Sequence, residues 1–477
     1  MKILFVNAID TASEVETRYS NLGLGYLAAS LRNAFAKNAV TLKIVEDHVA
    51  GHLRDFSPDI VGITSVTQNF DLARRYAKTA KEHGVPVIVG GVHISSMPHS
   101  LTPDMDVGCM GEGEQTLVEL VRLFADTGRF SGPERAKIHG IVYFDRQELK
   151  ITPPRAPIQD LDTIAMPARD LLKIGRHAYM FTSRGCPYDC IFCASTQFWN
   201  QLRFFSAEYI LREIEVLVNE YQVRTISFFD DLFIGNLPRL RRIVELLEGK
   251  DLLKKITFTC SARANLINEE VAVLLRRMRV FSVGMGLESG SDETLKYLKG
   301  HNISVKDNER AVAVLKRHKI AANASFVIGS PHETKEEILK TYAFIKNNPL
   351  SLFDTYVLTP YPGTAIWEYA KAKGLVADNM DWSRLNVNFN VNAEAAVILS
   401  EVLSRRELVV LYQRFERLRL FTNLKNVWST PQLRDLPGMA LKVLAAGLRD
   451  LIKKMFAILF RGRKNSHGKN AGSHSGL

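Results

Sequence analysis

Cysteine is scarce in this chain. There are five in 477 residues, an odd number that does not make a disulfide framework. Long hydrophobic runs are missing as well, since no stretch reaches the roughly 18 uncharged apolar residues of a membrane-spanning helix. The opening "MKILFVNAID" has an apolar run too short for a secretory signal and no small-residue cleavage site behind it. Together these absences lead to the expectation of a cytoplasmic chain in a reducing compartment. Excess charge is also lacking from most of the chain. The net charge is +11, but from Lys442 onward eight basic residues face Asp450 alone, which puts +7 in the last 36 residues and leaves +4 for the other 441. So weak a charge argues against a nucleic-acid-binding body. The composition, 46% hydrophobic and 24% charged, is that of a globular protein, and the length calls for two or three domains.

The first stretch alternates β-branched runs ("KILFVNA", "TLKIVED", "DIVGITSV", "VPVIVGG", "IHGIVYFD") with amphipathic segments such as "DLARRYAKTAKEH". This pattern predicts βαβ units and a doubly wound parallel sheet over residues 1–145. Pro153, Pro154, Pro157 and Pro167 forbid a continuous helix through 146–174, read as a linker. A second alternation, "AYMFTS", "TISFFDD", "KITFTCS", "FSVGMGLES", "ANASFVIGS" and "DTYVLTPYP", predicts a partial (β/α)6 barrel over 175–370, with reactive groups at the C-terminal strand ends. A small helical region is expected at 371–436, then a basic amphipathic helix and a disordered tail at 437–477.

Three of the five cysteines share "TSRGCPYDCIFCASTQFW", with three residues between Cys186 and Cys190 and two between Cys190 and Cys193. A structural zinc takes four ligands and a fully ligated [4Fe-4S] cluster takes four thiolates. Three thiolates leave one iron of a cubane open to a small molecule. Gly185 can turn the chain tightly and Pro187 stiffens it after the first thiol. The alternatives are a zinc knuckle completed by a distant histidine, or three incidental thiols.

The C-x-x-x-C-x-x-C loop, with Phe192 before its last cysteine, resembles the radical S-adenosyl-L-methionine (radical SAM) superfamily. The resemblance implies a [4Fe-4S] cluster on Cys186, Cys190 and Cys193 whose open iron binds SAM, and release of a 5'-deoxyadenosyl radical by one-electron cleavage. It also implies that Asp230 and Asp231 of "FFDDLF" lie where the SAM amino group is held, and that Glu288 and Ser289 of "GMGLESGS" lie beside the ribose. "FVIGSPHET" resembles the family's turn near the adenine, with Ser330 and His332 departing from its commonest form, and "LTPYPGTAIW" its closing segment. Arg263 in "CSARANL" is read either as a carboxylate partner for SAM or as a surface arginine.

The first domain, with "VGGVHISSMP" and "GEGEQTLVEL", resembles the cobalamin-binding domain that precedes the barrel in one large class of the superfamily. Gly90 and Gly91 would let backbone approach a corrin, and His93 is a candidate to touch it without ligating cobalt. His48 in "EDHVAG" is read as a loop histidine, because it follows the second strand and not the first.

The resemblance implies methyl transfer to an unactivated carbon of a hydrophobic small molecule or lipid. The alternative is an oxidative cyclase or ring-rearranging enzyme of the anaerobic Mg-protoporphyrin ester cyclase type. A tRNA methylthiotransferase is disfavoured, since it needs three further cysteines where the first domain has only Cys109. A reducing partner such as ferredoxin or flavodoxin is implied. From Met439, "MALKVLAAGLRDLIKKMFAILFRGRK" sets basic residues on one helical face and apolar ones opposite. It is read either as lying on the inner face of an anionic membrane, which suits a lipid or tetrapyrrole substrate, or as packing onto the barrel.

Overall fold

The computed structural model describes residues 1–11, 20–199 and 201–427. Residues 1–412 form one compact unit, and the described residues from 413 onward fall outside it. The amphipathic segment that starts at Met439 lies outside the described residues.

The first sheet contains β1 (Lys2–Ala8), β2 (Thr41–Val45), β3 (Ile60–Ser65), β4 (Val87–Gly90), β5 (Val107–Cys109), β6 (Ile141–Asp145) and β7 (Glu148–Ile151), in the order β2-β1-β3-β4-β5-β6-β7. The first five strands are parallel, and β6 and β7 pair antiparallel. Helices α1 (Leu22–Ala34), α2 (Val49–Phe56), α3 (Phe70–Glu82), α4 (Val92–Ser96) and α5 (Gly113–Thr127) follow β1 to β5 in turn. Both faces are covered, which is why β1 is almost continuously apolar and buried. Ile3 and Phe5 face one core with Leu24, Leu31, Leu120 and Val121 of α1 and α5. Leu4 and Val6 face the other, where Phe70, Ala73, Ala77 and Ala80 make the buried stripe of α3.

This second core does not stop at the domain edge. It continues into Leu298, Leu358, Trp367, Trp382 and Leu385 of the barrel and the segment after it. The barrel sheet runs β8 (His177–Met180), then, after a short antiparallel pair β9 (Ser183–Arg184) and β10 (Arg203–Phe204), β11 (Thr225–Phe228), β12 (Thr257–Ala262), β13 (Val280–Glu288), β14 (Ala321–Ile328) and β15 (Leu352–Val357). Its six strands are all parallel and lie in sequential order, with β8 and β15 at the edges. The described helices continue with α6 (Ala194–Trp199), α7 (Ala207–Asn219), α8 (Leu237–Gly249), α9 (Glu269–Arg277), α10 (Asp292–Lys299), α11 (Val305–Arg317), α12 (Lys335–Asn347), α13 (Ala365–Ala372), α14 (Phe389–Asn392) and α15 (Arg405–Val427). None of the described helices is long and apolar enough to cross a membrane.

Two segments differ from the expected pattern. β5 is three residues long, too short to show a period, and β7 falls inside the expected linker. The rest of that linker is a packed strap. Ala168 N donates to Gly25 O at 3.0 Å, Asp170 takes both guanidinium nitrogens of Arg32 at 2.8 Å, and buried Arg169 pairs with buried Glu213 of α7. The cramped prolines stop a helix but leave side chains free to join the two domains.

Candidate functional site

The cysteine loop leaves β9 through Gly185, whose φ is +87° and where a Cβ would meet Gln201 O at 2.3 Å. Only glycine fits both demands. Asp230, just past the end of β11, anchors the approach by accepting from Thr182 N at 2.6 Å, from the Thr182 hydroxyl, and from Ser183 Oγ at 2.8 Å. Arg239 of α8 adds a bond from Nη2 to Thr182 O at 2.5 Å. Beyond this buried anchor, Cys186, Cys190 and Cys193 are half-buried free thiols. Burial pushes Cys186 up to about 11 and Cys193 upward, while backbone amides of Tyr188, Ser195 and Thr196 directed at the two sulfurs pull the other way. Such amides favour a thiolate and accompany thiolate–metal bonds. Among the described residues no three His, Cys, Asp or Glu side chains, these cysteines included, stand gathered as a ready-made metal site.

The neighbours of the loop are polar and few. Arg263, at the end of β12, lies with its guanidinium carbon 3.9 Å from the Tyr188 ring centre and its Nη1 3.4 Å from Cys190 Sγ. Its buried Nε has no partner. Glu288 ends β13 at a register shift with φ +59°, and Lys299 Nζ stands 3.4 Å from its Oε1 while donating to Gly286 O at 2.6 Å. A Cβ at Gly286 would meet the Glu288 carboxylate at 2.2 Å, so this glycine lets the glutamate fold back along the strand. Asp231 accepts from Ser195 Oγ at 2.5 Å and is open to solvent. Surrounding protein pushes its carboxyl up, and the Ser195 hydroxyl only partly counters this.

Three expected site residues are enclosed instead. Both carboxylate oxygens of Asp230 are taken by the Thr182–Ser183 anchor. Ser289 is fully buried, 3.1 Å from Thr341 Oγ1, and receives Ser291 N at 3.1 Å. His93 is fully buried, with Phe70 at 3.9 Å between ring centres and Trp382 edge-on at 4.6 Å. Neither of its ring nitrogens has a partner, and burial lowers it to about 3, so it is neutral. Phe192 packs against the shared core. His48 is an exposed left-handed cap of α2. Cys109 and Cys260 are buried strand thiols, Cys109 pushed up to about 12.

The first domain reaches the loop directly. Gly91 has φ +97° and ψ −177°, and a Cβ there would meet Thr64 Oγ1 at 2.7 Å and Ser65 O at 2.8 Å. Ser95 Oγ of α4 accepts from Gly111 N at 3.0 Å, and next to it Ser96 Oγ lies 3.5 Å from the Cβ direction of Gly363, which also faces Gln197 Cβ of α6 at 4.0 Å. The C-terminal end of α4, the helix leaving the cysteine loop and the turn after β15 therefore share one contact zone.

Comparison with known proteins accounts for this pairing. Residues 180–345 match the model of the radical SAM superfamily and residues 10–121 that of the B12 binding domain. An uncharacterized methyltransferase of Pyrococcus horikoshii is 34% identical over 380 residues, covering 76% of this chain and 81% of the relative. The chain belongs to the radical SAM superfamily, in the class with an N-terminal B12-binding domain. The anaerobic magnesium-protoporphyrin IX monomethyl ester cyclase of Rubrivivax gelatinosus is 27% identical over 442 residues, covering 87% of this chain and 77% of that one. In fold, this radical SAM chain resembles the methyltransferase TsrM from Kitasatospora setae, solved with cobalamin and a [4Fe-4S] cluster bound, with TM-score 0.64, 19% identity, and 79% and 75% of the two chains covered. It is a methyltransferase-like enzyme acting on a small molecule, with a [4Fe-4S] cluster, SAM and cobalamin as cofactors.

The sequence reading passed over Lys299, Trp382 and Glu333. Lys299 and Trp382 carry no local signal, but Glu333 stands inside the quoted "SPHET". It is 2% exposed, and its Oε2 takes Gly329 N at 2.7 Å and Ser330 N at 3.2 Å, closing the turn after β14. Burial raises its carboxyl to about 8, with nearby Glu337 adding to the shift against the two amides. A carboxyl raised on folding holds its proton in the native state after the unfolded chain has lost it, so stability is full below the unfolded value near 4.5 and is lost progressively up to about 8. Glu333→Gln is expected to flatten that fall, worth at most about 5 kcal/mol. Thermal unfolding of both proteins across this pH window checks it, and parallel curves would refute it.

Proposed function

We propose that this enzyme transfers a methyl group to an unactivated carbon of a hydrophobic small molecule, with Cys186, Cys190 and Cys193 holding the cluster. What supports this reading most is the shared contact zone, which seats the C-terminal end of α4, the helix that follows the β4–α4 turn of the B12-binding domain, against the cysteine loop's own helix. Donor chemistry fits the groups assigned: three reachable thiols with amides aimed at two of them, and a β4–α4 turn that Gly91 lets pack against Thr64 and Ser65, where any Cβ would clash. When bound, the cluster supplies the electron that cleaves SAM and the corrin supplies a methyl carrier.

The chain's own residues then bind and orient. Asp231, accessible and short of a positive partner, suits the SAM ammonium, and Arg263 suits its carboxylate while its stack on Tyr188 fixes the fork. Glu288, steadied by Lys299, suits the ribose hydroxyls. Phe192 seals the loop against the core. Asp230, Ser289 and His93 position the strand ends from beneath: Asp230 through β9, Ser289 through α12, His93 through α4. Gly90 and Gly91 bring backbone to the corrin.

Anaerobic reconstitution with iron, sulfide and hydroxocobalamin, followed by an assay for products, tests the reading. 5'-Deoxyadenosine together with S-adenosylhomocysteine is expected. Deoxyadenosine alone would overturn methyl transfer in favour of the cyclase-like reaction, whose relative acts on a magnesium-porphyrin ester. A ferredoxin or flavodoxin is the proposed electron donor. The segment from Met439 is proposed to rest on the cytoplasmic face of an anionic membrane, where a lipid or tetrapyrrole substrate would be met. Unchanged liposome binding after deletion of residues 439–477 would remove that part.

A further inference from the structure

We infer that Glu112 and Glu114 of the B12-binding domain are positioning residues for the cysteine loop. The inference rests on the reading that this loop holds the cluster. Arg184 and Arg203 are directly paired across β9 and β10, the two strands through which the chain enters and leaves the loop. Arg184 stands two residues before Cys186. Glu112 accepts from Arg184 Nη1 at 2.8 Å through one oxygen and from Arg203 Nη1 at 3.0 Å through the other, and Glu114 accepts from Arg184 Nη2 at 2.5 Å. All four side chains are between 6% and 10% exposed.

The remaining bonds tie the same point to the strap between the domains. Ile158 N donates to Glu112 at 2.6 Å, and Arg203 Nη1 donates to Ile158 O at 2.5 Å. Arg184 also lies over Trp199, the last residue of α6, at 5.2 Å, and over Tyr26 of α1 at 5.6 Å. Entrance and exit of the loop thus converge on two carboxylates at the N-terminus of α5, the N-cap Glu112 and first-turn Glu114, and the exit helix packs on the arginine they hold. Charged groups buried this deeply fix one arrangement, since each must meet its partner. An ion pair serving only the fold would have no reason to grip the two strands that flank the cysteines and nothing else of the barrel.

The test uses the full chain, reconstituted anaerobically with cluster and cobalamin, as wild type, Glu112→Gln, Glu112→Asp and Glu114→Gln. Glu112→Gln is expected to keep its cobalamin absorbance but to lose cluster iron to a chelator about 10-fold faster, on the scale of other outer-shell changes at metal sites. The electron paramagnetic resonance spectrum of its reduced cluster is expected to respond less to SAM, and Glu112→Asp to restore both properties. Should Glu112→Gln not fold, Glu114→Gln, which leaves the Glu112 bonds to Arg184, Arg203 and Ile158 in place, is expected to show the same two changes. Chelation rates and SAM-dependent spectra equal to wild type in the folded glutamine variants would overturn the inference alone. A wild-type chain that takes up no cluster would remove it together with the proposed function.

Discussion

Cys190→Ala is expected to lower formation of 5'-deoxyadenosine from SAM by at least ~1,000-fold, a loss of about 4 kcal/mol of transition-state stabilisation. Three thiols are the fewest that hold a cubane while leaving an iron open, so none is redundant. Cys190 is the sharpest choice of the three because, among the described residues, its sulfur alone carries a side-chain donor, Arg263 Nη1 at 3.4 Å. The same change should leave the fold intact. The residue is half-buried on a loop, so a change of about 1 kcal/mol or less in stability is expected. Cobalamin should stay bound, because its proposed cradle lies on another sheet. The measurement is therefore a three-way one: deoxyadenosine, iron per chain and the corrin spectrum. Undiminished deoxyadenosine would refute the cluster assignment, and loss of all three together would mean that the loop is a folding element.

Much of this organisation is legible without coordinates. All six barrel strands overlap the segments expected to be strands, and β12 and β15 alternate buried with less buried residues, the period of a pleated strand. The cysteine loop is legible because spacing and scarcity speak together. Direction within the site is not. Asp230 and Asp231 are adjacent in sequence, yet the loop after β11 turns one into the Thr182–Ser183 anchor and the other toward Ser195. A loop past a strand end has no fixed period, so the pattern does not say which of the two faces the ligand. Ser289 is drawn under the strand end by Thr341, 52 residues away. His93 is closed over by Trp382, which arrives from beyond the barrel. Partners this distant leave no trace in the local pattern. The two glutamates of "GEGE" pose the same problem, since they could have been surface charges had Arg184 and Arg203 not folded onto them.

Gly91→Ala is expected to lower cobalamin retention at least ~10-fold, whereas Gly90→Ala next to it should cost little, and the two together test whether the β4–α4 turn is the cradle. The two glycines look alike in sequence, but their surroundings differ. A Cβ at Gly90 would have Cys109 Cβ and Cys109 O no nearer than 3.9 Å, ordinary contact. At Gly91 it would meet Thr64 Oγ1 at 2.7 Å, Ser65 O at 2.8 Å and Ser65 N at 3.2 Å, and two of those atoms are backbone of the neighbouring strand end. Its φ of +97° with ψ of −177° is a region that only glycine occupies freely, so the side chain adds about 1–3 kcal/mol of strain before any clash. Relief requires the turn to move away from the end of β3, and α4 follows, because Ser95 N bonds to Gly91 O at 3.2 Å. That displacement acts on Ser96 and so on the contact with Gly363 and α6, which joins the cradle to the cysteine loop. The corrin spectrum after gel filtration should separate the two variants. Equal retention by both would mean that the cofactor sits elsewhere on the first sheet. Equal loss by both would place the cost in the flexibility of the pair and not in the fit of one residue.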